Sequence, residues 1–260
     1  MTSAAMHAEV SIDFAVVYGF MIALARVSGF LVLVPLPGLN AGPTASRIVL
    51  ALGLTVCLMP HWPTVKSGAK FGDLVLWIAA EFALGFAIGI GIALLLETFQ
   101  ISAQAIGIQA GFSYASTIDP STQADTAVLQ TVLQLLTGIL FFTLGLDFQV
   151  IKLLTIGLDT LPTGAAIAKA FNPKVVASLG SMMFSTGVRL AMPVIGSLML
   201  LDLAFALLSK VHSQLQLLSL SFSAKMLAGL MVFAATLSAC APLLKTTAAH
   251  TFDILVRLLS

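Results

Sequence analysis

The sequence has 260 residues, of which 59% are hydrophobic and only 9% are charged, with a formal net charge of +1. Soluble domains carry about 25% charged residues, so this composition excludes an ordinary soluble protein and indicates a membrane protein or a subunit of a membrane complex. The nearly neutral charge, without a basic run, also argues against nucleic-acid binding.

Six apolar segments follow one another along the chain. They are Phe14–Val34, Ile48–Met59, Leu74–Leu96, Thr126–Leu146, Val175–Leu208 and Leu215–Leu244. The second is too short to cross a bilayer, which takes about 20 residues. No lysine or arginine precedes the first segment, so a cleaved secretory signal is not expected and that segment is predicted to stay in the mature protein.

The connections between these segments carry residues that disfavour regular structure. Pro35–Arg47 contains three prolines and two glycines and is predicted to be a turn region. Asp147–Lys174 is mixed in character and holds the longest polar connection. After the last apolar segment, Thr246–Ser260 is predicted to form a separate short amphipathic tail.

The stretch Glu97–Gln130 differs in character from the apolar segments on either side. Small residues recur at every fourth position, and amides stand among them: Ala103, Gly107, Gly111, Ala115, Gln100, Gln104 and Gln109. Small residues at this spacing let a helix approach a neighbour closely, although glycines weaken the helix itself. Asp119 before Pro120 predicts a break in the helix. The same composition also fits a polar loop between two membrane helices.

Charged residues interrupt several of the apolar segments, at Arg26, Glu81, Arg189, Asp202 and Lys225. A charge that faces lipid at mid-bilayer costs at least about 2.5–3.5 kcal/mol, so these side chains are predicted to be buried. They would either pair with one another inside a bundle or face other subunits, and their placement alone does not separate the two. Close helix packing is predicted at the small residues Gly85, Gly89, Ala93, Ala103 and Gly107.

No catalytic, cofactor-binding or metal site is predicted, and an enzyme is not expected. The four histidines are scattered, and no two stand at the i, i+4 spacing of a helical metal site. The sequence lacks the nucleophile elbow G-x-S-x-G, a P-loop and a C-x-x-C pair. Cys57 and Cys240 both lie in apolar surroundings and are predicted to be buried small hydrophobes that form no disulfide.

Four motifs stand in order along nearly the whole chain. They are RVSGFLVLVPLPG at Arg26–Gly38 with Pro43 and Arg47, IGIQAGFSYASTIDP at Ile106–Pro120, the run Arg189–Leu215, and Lys225 with Gly229. Each motif alone is weak, but four in this order are fairly specific, and together they resemble the FliR family of flagellar biosynthetic export-gate proteins. The chain departs from the family pattern at Ser213 and Ser223, where many members have proline.

The resemblance implies an all-α, membrane-associated fold of bent helical hairpins that pack with FliP-type and FliQ-type sister subunits. The assembly would be the flagellar type III export gate, at the flagellar basal body in the bacterial inner membrane. FlhB-type and FlhA-type export proteins, and unfolded export substrates, are further implied partners. The chain would divide into N-terminal segments 1–96, a central plug-like stretch 97–130 and C-terminal helical hairpins 131–260.

The resemblance further assigns a function to the central stretch, which in this family forms a plug loop that helps close the pore. The residues assigned to the plug and its gating are Ile106, Gly107, Gln109, Gly111, Phe112, Tyr114, Ile118, Asp119 and Pro120. The glycines would provide flexibility, the bulky apolar side chains would fill the pore, and Asp119-Pro120 would stop the helix.

Two alternatives stay open. Injectisome export-gate subunits share the overall pattern, and the flagellar branch is preferred because the Asp119-Pro120 stretch matches it better. A secondary transporter would also use discontinuous helices with glycine and proline breaks and buried charges. Such transporters usually show two corresponding halves, and no convincing repeat is visible here.

Overall fold

The computed structural model describes residues 14–34, 44–63, 71–111, 125–161, 173–211 and 217–259. Within these ranges the regular elements are all helices. The α-helices are α1 (Phe14–Leu33), α2 (Thr44–Cys57), α3 (Phe71–Ala110), α4 (Asp125–Thr143), α5 (Leu146–Thr160), α6 (Pro173–Val211) and α7 (Leu217–Leu259). The predicted all-α fold class is thereby confirmed.

Four helices are long and apolar enough to cross a membrane. The candidate spans are Ala15–Leu33, Gly72–Ala110, Pro173–Lys210 and Ser223–Leu259. Helices α4 and α5 pass the same test together, but they are bent by 64° where they meet. Gly145 lies at this bend with φ +67°, a left-handed conformation that glycine adopts without steric cost. This pair therefore has the bent geometry that the resemblance implied.

Three helices are much longer than a bilayer requires. Helix α3 has 40 residues, α6 has 39 and α7 has 43. At 1.5 Å per residue each is about 60 Å long, which is about twice the thickness of a hydrocarbon core. These helices must therefore be strongly tilted or extend well beyond the lipid.

The predicted end of the third apolar segment is wrong, because α3 continues from Leu96 through Glu97–Ala110. The glycines and amides in this part of the chain favour helix only weakly, but α3 packs against α4, α6 and α7. Phe99, Ala103 and Ile106 are all almost completely buried. Burial of this face supplies the stability that the local composition lacks.

The mixed region that begins at Asp147 is helical as far as Thr160, because four apolar residues of α5 form a buried face: Val150, Leu153, Leu154 and Leu158. The predicted separate tail is part of α7, which runs through Pro242 without a break. Leu244, Ala248, Phe252, Leu255 and Leu259 are buried at intervals of three or four residues, so one helical face continues into the core.

The core lies where α3 packs against α1 on one side and α6 on the other, with α7 packing on both α6 and α3. Cys240 is buried in this core, as predicted. Cys57 is exposed, so the prediction of its burial is wrong. It lies at the end of α2, whose apolar residues Ile48, Val49 and Val56 are also exposed in the single chain.

Candidate functional site

Helix α3 ends within the central stretch, at Ala110. Gly111 has φ +86° and donates its backbone N–H to the carbonyl oxygen of Ile108 at 3.2 Å, which is a typical glycine-dependent helix end. Ile106, Gly107 and Gln109 all belong to α3, so the first residues assigned to the plug loop are helical. The other assigned residues, Phe112, Tyr114, Ile118, Asp119 and Pro120, lie outside the described residues.

A polar cluster ties the end of α3 to the hairpin formed by α6 and α7. Gln109 donates a hydrogen bond from Nε2 to Asp202 Oδ2 at 3.2 Å. Lys225 Nζ lies 2.7 Å from Asp202 Oδ1 and 2.9 Å from Oδ2. The Asp202 carboxylate thus joins α3, α6 and α7. Its partner on α3, Gln109, lies two residues before Gly111. The Lys225 side chain is 20% exposed and that of Asp202 is 44% exposed, so in the single chain this pair is only partly buried.

We expect the Asp202–Lys225 pair to show measurable coupling. Exposed ion pairs contribute at most about 1 kcal/mol, whereas hydrogen bonds to charged groups contribute about 1.5–3 kcal/mol, so a coupling of roughly 1 kcal/mol is expected for this intermediate case. The coupling is obtained from thermal unfolding midpoints in detergent, measured for Asp202→Asn, Lys225→Gln and the double variant. Asp253→Asn combined with Lys225→Gln is the control, for which the effects should add. If the effects of Asp202→Asn and Lys225→Gln also add, the two side chains do not stabilise each other.

A second close contact joins α3 to α6. Ser102 donates from Oγ to the carbonyl oxygens of Thr98 at 3.1 Å and of Gly187 at 2.9 Å. A Cβ atom added at Gly187 would lie 2.9 Å from the Thr98 carbonyl oxygen, so the two backbones approach with no side chain between them. Neither Ser102 nor Gly187 was predicted to contribute to packing. The signal that could have identified Ser102 is its small size at helical spacing from Thr98 and next to Ala103, which is buried as well.

Gly85 and Gly89, two of the predicted packing residues, lie against α1. A Cβ atom at Gly89 would be 2.8 Å from the Phe30 carbonyl oxygen, and one at Gly85 would overlap the carbonyl oxygen of Arg26. Gly29 of α1, which was not predicted, faces the Phe82 carbonyl oxygen in the same way. These glycines allow α1 and α3 to cross in backbone contact.

The other residues predicted to pack closely are Ala93, Ala103 and Gly107, and none of them is shown in backbone contact with a neighbouring helix. Ala93 is half-buried and Ala103 is buried. A Cβ atom added at Gly107 would meet no atom within 4 Å. Close packing at Gly107 therefore stays a prediction for an assembly, since no neighbour within the described part of the chain requires a glycine there.

Arg26 and Glu81 form an ion pair in the interior, where each residue is 1% exposed. Arg26 donates from Nε to Glu81 Oε2 at 2.6 Å, and a second guanidinium nitrogen contacts the same oxygen. Arg189, by contrast, is exposed in the single chain and lines a groove between α6 and α7. Its burial inside an assembly stays a prediction.

Across the ranges that the structure describes, no three histidine, cysteine, aspartate or glutamate side chains are grouped as metal ligands would be. Among the described histidines, only His61 has a long-range ion-pair geometry, with Nδ1 lying 2.9 Å from Asp159 Oδ1. It ties the turn after α2 to the last turn of α5. This contact is exposed and joins two surface elements.

The sequence model of the family described as "Bacterial export proteins, family 1" matches residues 17–251, from α1 into α7. The chain is 26% identical to the flagellar biosynthetic protein FliR of Escherichia coli (strain K12), over 91% of each chain. It is also 26% identical to FliR of Pectobacterium carotovorum subsp. carotovorum, over 86% of this chain and 87% of that one. FliR of Bacillus subtilis (strain 168) is 24% identical, over 75% of this chain and 77% of that one.

Proposed function

The chain belongs to the bacterial export proteins, family 1, and from this premise we propose that it is a structural, pore-forming subunit of the flagellar type III protein export gate. In this function the chain performs no reaction. It forms part of the wall and part of the closure of a path through which unfolded flagellar proteins cross the inner membrane. The observation that carries the proposal is the family match over almost the whole chain, with all seven described helices inside or overlapping it.

The apolar surface of the chain supports an assembly. The most apolar stretch of α6 and that of α7 are each only 22% buried within the chain, whereas the corresponding stretches of α1 and α3 are 50% and 56% buried. Lipid can cover about 30 Å of helices that are about 60 Å long, so protein must cover much of the rest. Sister subunits of the FliP and FliQ types would provide that cover, with FlhB-type and FlhA-type export proteins as further partners.

The end of α3 supports a closure at its tip. Gln109 is hydrogen-bonded to Asp202 and provides a fixed base for the central stretch, and Gly111, with φ +86°, directly follows the last residue of α3. In the proposal the residues that follow, with Phe112, Tyr114 and Ile118 as apolar bulk, form a displaceable plug. Narrow apolar constrictions exclude water and ions by dewetting, which is what a protein-sized pore in an energised membrane requires at rest.

Deletion of Gly111–Ser116 tests both the gate and the plug. The full chain and the variant are each co-expressed with FliP-type and FliQ-type subunits. The mass of each detergent-extracted complex is measured, and its ion conductance is recorded in planar bilayers. We expect the variant complex to assemble and to show a raised ion conductance. Deletion of the equally long segment Gly164–Lys169, in another connection, is the control and should leave the conductance low.

The other outcomes separate the alternatives. Loss of the complex without a leak would show that the central stretch is a static packing element, and an assembled complex without a leak would also refute the plug. A chain that purifies stably alone, and that associates with neither sister subunit, would instead favour a secondary transporter.

A further inference from the structure

A groove of about 410 Å³ lies between α6 and α7, and Arg189 provides its positive charge. Helix α6 contributes Ser185 and Thr186 beside Arg189, and α7 contributes Thr246, Thr247 and His250. Among the described residues that line the groove, none is a carboxylate. The groove is therefore a cationic site surrounded by hydroxyl groups, and its own lining does not neutralise it.

Arg189 differs in this respect from the other charges that interrupt the apolar segments. Arg26 is paired with Glu81, and Lys225 is paired with Asp202. Each of these pairs joins a cation on one apolar helix to a carboxylate on another. No hydrogen bond or ion pair joins Arg189 to another described residue. Four of the five charges thus balance within the chain, and one positive charge is left over.

The surface around Arg189 is apolar and is left uncovered by the chain itself. Arg189 lies near the middle of α6, and Met192 and Leu200 follow on the same side of the helix, one and three turns further along. Their side chains are 58% and 69% exposed. A protein subunit that covers this apolar surface would also remove water from the guanidinium. A buried guanidinium needs a carboxylate and further hydrogen bonds to offset its loss of hydration.

We propose that this groove receives an aspartate or glutamate side chain from an apolar helix of a sister subunit. The inference rests on the proposed function, because it requires that the chain assembles with such subunits. Arg189 donates two parallel hydrogen bonds to the two carboxylate oxygens, since its planar fork matches a carboxylate. The hydroxyls of Ser185 and Thr186 donate to no described residue, so they are available for the remaining lone pairs. The contact repeats between subunits the arrangement that the two internal pairs show within the chain.

Changes of charge at Arg189 test the pair. The full chain and its variants are each co-expressed with FliP-type and FliQ-type subunits, and native mass spectrometry counts the subunits that stay bound on dilution in detergent. Arg189→Gln leaves the partner's carboxylate buried without a cation, so half of the complex should dissociate at a concentration about thirtyfold higher or more. Arg189→Glu should dissociate more readily still. Arg189→Lys, which keeps the charge but loses the fork, should lie between wild type and Arg189→Gln.

A rescue experiment identifies the partner. With Arg189→Glu present, each aspartate and glutamate of the sister subunits is replaced in turn by lysine. One of these replacements should recover at least about tenfold of the lost affinity, because the pair is restored with its charges exchanged. The same replacement should weaken the complex with wild type, in which two cations would meet. Lys210→Glu reverses an exposed cation in the last turn of α6 and is the control, which should dissociate as wild type does.

The other outcomes separate this pair from the proposed function. A wild-type chain that binds neither sister subunit would refute both. Wild-type assembly with an unchanged Arg189→Glu complex, or with no lysine replacement that rescues it, would overturn the pair alone. Loss of bound phospholipid from Arg189→Gln without loss of a subunit, counted in the same spectra, would instead assign the groove to a lipid. Thr186→Val keeps the cation and should weaken assembly several-fold, which tests the groove even if Arg189→Glu does not fold.

Discussion

Replacement of Gly85 by alanine is expected to reduce the yield of folded protein sharply. The added methyl group would overlap the Arg26 carbonyl oxygen, and because that atom belongs to a helix backbone it cannot turn aside. Helix α1 would have to move away from α3 at the point where the two helices cross, which Gly29 and Gly89 also line. Overpacking of this kind costs about 1–3 kcal/mol or more, which exceeds the gain of about 1 kcal/mol in helix propensity.

Gly196→Ala is the matched control for this prediction. Gly196 also lies in the interior of a long helix, α6, but an added Cβ atom there would meet no atom within 4 Å. This variant should therefore be neutral or slightly stabilised in the single chain, through helix propensity alone. The yield of monodisperse protein in detergent and its thermal unfolding midpoint distinguish the two. Equal behaviour of the two variants would show that α1 and α3 are not in backbone contact.

Removal of one partner of the Arg26–Glu81 pair is expected to be similarly severe. Arg26→Met leaves the Glu81 carboxylate buried without a partner, and such changes typically cost about 3–5 kcal/mol. The guanidinium also fills space against a third helix, because a Cβ atom added at Gly157 of α5 would lie 2.9 Å from Arg26 Nη1. Nη1 itself has no hydrogen-bond partner in the described structure, so the pair is not an optimised one.

The double variant Arg26→Met with Glu81→Met separates charge from packing. Two apolar residues of similar length remove the uncompensated charge, so the double variant should recover most of the stability that Arg26→Met loses. Arg257→Met breaks the exposed pair with Asp253 on α7 and should change stability by no more than about 0.5 kcal/mol. Thermal unfolding in detergent measures all three. A single variant as stable as wild type, or a double variant no better than the single one, would contradict a stabilising buried pair.

The amino-acid sequence by itself determined the fold class and most of the helices. Long apolar runs bounded by proline, glycine and charged residues predicted α1 and α6 to within a few residues. Signals of this kind are local, because helix formation over 20 residues depends on neighbours three and four positions away. The quoted motifs likewise identified the family, which the match over residues 17–251 confirms.

Local sequence signals were misleading where the burial of side chains determines whether a helix forms. The glycines and amides after Leu96 indicated a deformable stretch, yet α3 is helical as far as Ala110 because Thr98, Ser102 and Ile106 are buried against its neighbours. Helix propensities differ by less than 1 kcal/mol for most residues, whereas burial of one large apolar side chain contributes about 1.5–3 kcal/mol. Tertiary packing therefore overrides the local preference.

Only the tertiary structure decided which charges meet. The sequence showed five charges within apolar segments, but nothing in their spacing pairs Arg26 with Glu81 across 55 residues or Asp202 with Lys225 across 23. The sequence likewise did not show that Arg189 lies exposed in a groove between α6 and α7. Pairing depends on the rotation and register of helices that are distant along the chain, and those are set by the glycines that let α1, α3 and α6 approach.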